Sequence, residues 1–387
     1  MKIAGTRPTR EVFTIEAPKR WINISYANIA TTSPAAHRAA AEWADAIARG
    51  GAAEFDGDAE QSALLPLRRA TSRLLACGVA DICVGSSATA LMSSIAWAIA
   101  PREGSNVVST QASFPSTVYP WSRVSESFGA EVRLAAHDDD MYTDPNSVMA
   151  LIDEQTAVIV LSHVEYSNGQ RYDLEAFSKA AREVDALLIT DATQSMGMVP
   201  IDAPNFGVDA MVASGYKWLR GSFGAAVGYV SPRLRELNPG LVGFRSHADM
   251  WDMRPDRVDL PRDASRFEYT TLHFGAALGL AEAVKELDNF GIDEVWEHDL
   301  GLADLIISGA EELGFDIASP TNEAERSAIV SLRPPEGVDS DAVAFDLQED
   351  HGIIVSSRSG LIRVSPHIDN VPEDIARLIS ALGSMLP

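Results

Sequence analysis

Three groups of residues in this 387-residue chain have the types and spacing to do chemistry. Lys217 stands in "SGYKWLRGSFGAAVGY", after the apolar run "DAMVA" and before a small-residue segment that leads into another apolar run. A lysine that only aids solubility belongs on a solvated helix face. One planted between two buried strands offers an amine of lowered pKa, able to act as nucleophile or base. Asp191 ends the run "ALLITD", so a carboxylate emerges from a hydrophobic strand and needs a cation or donor to meet it. On its own it would serve equally as an N-cap for the next helix. The third group is "GSSAT", residues 85–89, between "DICV" and the helical stretch "ATALMSSIAWAIA". Backbone N–H groups and hydroxyls at a helix N-terminus make an anion site, although Ser/Thr-rich helix starts are also ordinary caps. The segment is neither a Walker loop nor a GxGxxG fingerprint, which disfavours ATP and dinucleotides.

The elements that must position these groups are legible in the apolar pattern. "NVVST" (106–110), "EVRLAA" (131–136), "AVIVLS" (157–162), "ALLITD" (186–191) and "DAMVAS" (209–214) predict buried strands. "DPNSVMALIDEQ" (144–155) and "DLEAFSKAAREVD" (173–185) predict helices between them. Alternating β and α units imply a parallel sheet covered on both faces, with functional groups gathered at the carboxyl ends of its strands. From about residue 266 the texture changes. Two long helices are predicted, then "AIVSLRP", a helix over 339–350, the strand pair "GIIVSS" and "LIRVSP", and a last helix from Pro372. That pattern describes a smaller α+β domain. The Trp-, Met- and Pro-rich stretch 246–269 reads as an ordered loop rather than a linker. The expected division is a large domain over 21–265, with 1–20 and 266–387 forming the small one.

Composition narrows the partners. The formal charge is -24, from 55 acidic against 31 basic residues, which argues against nucleic acid and anionic membrane surfaces. Cys77 and Cys83 are the only cysteines; their spacing fits neither a zinc site nor a redox pair, and no metal is expected. No hydrophobic signal core or membrane-length apolar run occurs, so the expectation is a soluble cytoplasmic protein.

An amine, a carboxylate and an anion pocket at one sheet edge suit one cofactor, pyridoxal 5'-phosphate. Lys217 would form the Schiff base, Asp191 would keep the pyridine nitrogen protonated, and the helix N-terminus would hold the phosphate. "ITDATQSMGMVPID" followed by "VASGYKWLRGSFGAAVGYV" resembles the signature of the class V aminotransferase family, among the fold-type I pyridoxal-phosphate enzymes. That family includes cysteine desulfurases, kynureninases and isopenicillin N epimerase-like proteins. The resemblance implies a large domain with a mostly parallel seven-stranded sheet between helices, plus a smaller α+β domain.

It also implies roles. Gln194 would bond the ring oxygen; Ser87, Ala88, Thr89 and Ser214 would face the phosphate. Thr271, in "RFEYTTLHF", matches a threonine that in relatives reaches the neighbouring subunit's phosphate, so a homodimer with shared sites is implied. Arg363, in "LIRVSPH", matches an arginine that clamps a substrate α-carboxylate. Phe114 stands where desulfurases place a ring-stacking histidine. His163 reads either as a cofactor neighbour or as a buried packing residue, and Tyr216 either as a partner of the cofactor or as space-filling beside it. Tyr26 and Asn28, in "ISYANIA", sit where relatives bring an N-terminal segment over the pocket. The stretch 319–360 has no cysteine, which argues against a persulfide-forming desulfurase. Phe114, "VEYSNGQ" and "YKWL" resemble the kynureninase-like and epimerase-like branches instead, and that resemblance implies a lyase- or epimerase-type reaction on an amino acid, with amino-group transfer to a keto acid as the alternative. A catalytically silent cofactor-binding or interaction protein would be expected to have lost Lys217 or Asp191; both are present.

Overall fold

A computed structural model describes residues 21–385 of the chain. The segment 1–20, expected to belong with the small domain, lies outside the described residues. Ile22–Asn23 forms β1. The central sheet takes β2 (Ile82–Gly85), β3 (Asn106–Thr110), β4 (Glu131–Ala135), β5 (Thr156–Ser162), β6 (Leu187–Asp191), β7 (Ala210–Ser214) and β8 (Ala226–Val230). The chain closes with β9 (Asp316–Ile317), β10 (Val330–Arg333), β11 (Ile353–Ile354), β12 (Ser356–Arg358) and β13 (Leu361–Val364).

The seven central strands lie in the order β2-β8-β7-β6-β5-β3-β4. Every pair is parallel except those made by β8, which runs antiparallel to both β7 and β2. This is the mostly parallel α/β sheet that the sequence implied. Side-chain alternation explains why its strands read as unbroken apolar runs. Val158 and Val160 of β5 pack into the core on one face, while Ile159 and Leu161 pack into the core on the other.

The four-stranded sheet β12-β13-β10-β9 has its own apolar core, built with Leu302 and Ile306 of helix Ile292–Glu312 and Leu378 of helix Pro372–Met385. A division of the chain after residue 265 remains our proposal, and packing adds detail to it. Helix Phe274–Phe290 shares the core of the large sheet through Ala277, Leu280 and Val284. β1 pairs in parallel with β11, and its Ile22 packs in the small core. No helix among the described residues is long and apolar enough to cross a membrane.

One element is shorter than its sequence pattern. The helix expected over 144–155 covers only Pro145–Met149. Its expected last turn is pulled open at Asp153, whose carboxylate accepts from the Asn106 amide at 2.8 Å and pairs with Arg133, while its N–H donates to Thr156 Oγ1. Side-chain bonds of this kind compete directly with helix continuation.

The loop after β6 turns sharply at Gly197, which has φ +99°. A Cβ there would lie 2.5 Å from the carbonyl oxygen of Trp218, the residue after Lys217. Gly197→Ala should therefore destabilise the fold by about 2 kcal/mol through backbone strain and this clash. The check is a urea unfolding curve, in which an unchanged midpoint would contradict the packing described.

Candidate active site

Lys217 sits in the turn after β7, only 9% exposed. Its Nζ lies 5.6 Å from the centre of the Phe114 ring and 5.9 Å from that of Tyr216. Burial pushes its amine down to about 8, the charges of Arg363 and Arg358 push the same way, and Asp191 opposes them. Relative to a free lysine, that disfavours the charged amine by roughly 3 kcal/mol. The turn that carries it is pinned on nearly every carbonyl. Ala30 N–H donates to the Tyr216 oxygen, Arg220 N–H to that of Lys217, and Ser33 N–H to that of Arg220. His367 Nε2 donates to the Trp218 oxygen at 3.1 Å, and its Nδ1 meets Asp299 Oδ2 at 2.6 Å. Both His367 and Asp299 are fully buried. Arg220, held at φ +56°, grips Asp369 with bonds of 2.7 and 2.9 Å, and the Tyr26 hydroxyl donates to the same carboxylate.

Asp191 ends β6 in register with Ser162 of β5 and Val212 of β7. Its Oδ2 accepts from the Thr117 hydroxyl at 3.0 Å and its Oδ1 from the Thr193 N–H at 2.9 Å. The carboxylate is thus oriented, with lone pairs to spare. Ser87 caps helix Ala88–Ile99, its hydroxyl accepting from Ala90 N–H at 3.1 Å. The first-turn N–H groups of Ala88 and Thr89 belong to the set that a helix leaves unpaired, which makes this end receptive to an anion.

Ser87, Ala88, Thr89, Phe114, Asp191, Gln194, Ser214, Tyr216 and Lys217 all line one cavity. Gln194 is already heavily engaged: its Nε2 donates to Ala27 O and its Oε1 accepts from Trp218 Nε1. One amide N–H remains for a ligand. Four candidates lie elsewhere. Ser162 and Val164 line the cavity, so strand alternation turns His163 to the opposite side, edge-on to Phe206. Burial pushes its imidazole down to about 3, so it stays neutral. Thr271 is exposed and outside the cavity. Arg363 is buried on β13, donating to the carbonyl of cavity-lining Tyr166, and burial with the neighbouring Arg358 pushes it down to about 9. Asn28 contributes only indirectly, accepting from Arg358 Nη2 at 3.2 Å.

Sequence reasoning missed Thr117, Thr193, Tyr166 and Arg358. It also missed Glu165, whose fully buried carboxyl accepts from Ser113 and is pushed up to about 8 by burial. Arg358 had a signal: the Ser359-Gly360 pair forms a tight turn that places it in the β12–β13 hairpin with Arg363.

The aminotransferase class-V family model matches residues 62–378. The chain belongs to that family. A probable cysteine desulfurase of Pyrococcus abyssi is 24% identical over 299 residues, covering 74% of this chain and 73% of the relative. A kynureninase of Deinococcus radiodurans is 30% identical over 273 residues, covering 68% and 64%. Among solved structures, a cystine C–S lyase in complex with cysteine persulfide superposes with a TM-score of 0.87 at 19% identity, covering 95% of this chain and 99% of the other. The family's cofactor is pyridoxal 5'-phosphate, and the residues fit it. A buried amine, a hydrogen-bonded carboxylate and a helix N-terminus face one cavity, which matches the aldehyde, pyridine and phosphate of that molecule.

The lowered amine has a direct readout. In cofactor-free protein, acylation of Lys217 should rise with pH around a midpoint near 8, because only the neutral amine reacts. Mass-spectrometric labelling across pH checks this; a midpoint near that of a free lysine would refute the burial effect.

Proposed function

We propose that this chain is a lyase- or epimerase-type enzyme acting on an amino acid, with Lys217 moving the proton at the substrate α-carbon. The observation that carries this reading is the buried amine facing Asp191 across the cavity, with no carboxylate at ion-pair distance among the described residues. When bound, the protonated pyridine ring supplies an electron sink for a bond broken at that carbon. Asp191, oriented by Thr117 and Thr193, holds the proton at the ring nitrogen. The N–H groups of Ala88 and Thr89, with Ser214, would hold the phosphate, and Phe114 would pack against the ring. Arg363 holds the α-carboxylate. Lys217, neutral in a large fraction of molecules near pH 8, takes up and returns the proton.

Relatives named cysteine desulfurase and kynureninase support the lyase side of this reading. A covalent sulfur carrier on the protein has no support: Cys77 and Cys83 both lie outside the cavity, and burial raises both thiols. We also propose a homodimer in which Thr271 serves the partner's phosphate. Support comes from its exposure and from Phe223, 59% exposed yet stacked on cavity-lining Tyr216 at 4.3 Å. The net charge of -24 fits a self-repelling, soluble surface.

The test begins with Lys217→Ala, which should abolish the visible absorbance of the bound cofactor and lower activity by at least about a thousandfold. Unchanged absorbance would sink the assignment. Wild-type enzyme mixed with an amino-acid panel should release ammonia or a side-chain fragment, or invert chirality. A keto acid formed together with a pyridoxamine spectrum would overturn the lyase-type reading in favour of transamination.

A further inference from the structure

Two arginines beside the lysine carry more positive charge than one substrate carboxylate can neutralise. The β12–β13 register pairs Ser356 with Arg363 and Arg358 with Leu361. Cross-strand partners share a face, as do residues two apart on one strand. Arg358 and Arg363 are therefore diagonal neighbours on one face of the hairpin. The register is locked by its turn, where Ser359 and Gly360 adopt φ values of +52° and +78°.

Among the described residues, neither guanidinium has a carboxylate partner. Arg363 donates to the Tyr166 carbonyl, and its buried Nε has no acceptor. Arg358 donates to the Ser357 carbonyl at 2.7 Å and to Asn28 Oδ1 at 3.2 Å, neutral acceptors that orient the group without cancelling its charge. Like charges held this close, one of them buried, are costly unless an anion joins them. Elsewhere the chain supplies such anions: buried Arg220 meets Asp369. Among the described residues it supplies none to Arg358 or Arg363, and Asp191 across the cavity from Lys217 is bound by Thr117 and Thr193.

We propose that the substrate is an acidic amino acid, whose α-carboxylate is received by Arg363 and whose side-chain carboxylate is received by Arg358. This assignment rests on the function proposed above and names its substrate class. Arg358 thereby becomes the specificity-determining residue, and Asn28 its positioning residue. A neutral amino acid would leave the Arg358 charge unanswered.

Binding of unreactive acids to the pyridoxal-phosphate-loaded protein separates the possibilities. Succinate and butyrate share four carbons and lack an amine; they differ in the second carboxylate. By titration calorimetry, wild-type protein should bind succinate about tenfold tighter than butyrate or better, the worth of one charge-assisted contact. Arg358→Gln should erase that preference while leaving butyrate binding in place, and Arg358→Lys should restore part of it. Equal binding of the two acids by wild-type protein would overturn the inference. So would an Arg358→Gln variant that weakens both acids alike, since Arg358 would then serve the α-carboxylate. A chain that takes up no pyridoxal phosphate sinks the proposed function and this inference with it. A loaded chain without the preference sinks the inference alone.

Discussion

A buried histidine–carboxylate pair fixes the geometry on which this site depends. His367, with Asp299 behind it, donates to the carbonyl of Trp218 and so holds the backbone one residue beyond Lys217. A carbonyl can only accept, so Nε2 carries a proton. The short Nδ1···Oδ2 contact holds a second proton between imidazole and carboxyl. Neither group meets water, and in such surroundings a satisfied charge-assisted bond is strong while a broken one leaves a costly orphan. Trp218 is fastened a second time through its indole, to Gln194, which in turn holds Ala27. Four separated stretches of chain thus converge on one turn. Among the described residues the amine itself has no hydrogen-bond or ion-pair partner, while the backbone beneath it is thoroughly bound.

Charge is distributed with the same division of labour. Three cations, Lys217, Arg358 and Arg363, lie near one another, and Asp191 is the carboxylate across from them. The fold tolerates this concentration by burying the amine in contact with aromatic rings and by orienting the guanidiniums on neutral oxygens. Such an arrangement disfavours the protonated lysine while keeping both arginines charged, since a guanidinium tolerates burial far better than an ammonium. The lowered amine and the two guanidiniums lie in one field.

Much of this was legible in the sequence, and the exceptions have physical causes. Lys217, Asp191 and residues 85–89 could be found because parallel sheets deliver functional groups at the carboxyl ends of strands. His163 could have been excluded by counting: it alternates with Ser162 and Val164, and only one parity faces the cavity. The helix expected over 144–155 failed because Asp153 prefers partners on neighbouring strands, contacts that no local propensity reveals. The Asp299–His367 pair joins residues far apart in the chain, and a lone histidine in "SPH" carries no mark of its partner. Arg358 reads as the polar flank of a turn until the hairpin register sets it beside Arg363.

The stretch from Arg363 to Asp369 joins the small sheet to the turn that carries the amine. It contains the guanidinium that we propose receives a carboxylate, the imidazole that holds the Trp218 carbonyl, and the carboxylate that grips Arg220. Seven consecutive residues therefore set both ends of the span between the proposed carboxylate receptor and the amine. Both ends of that span are tied to the same short run of backbone. The segment is a ruler: its covalent length bounds how far Arg363 can lie from the turn that carries the amine.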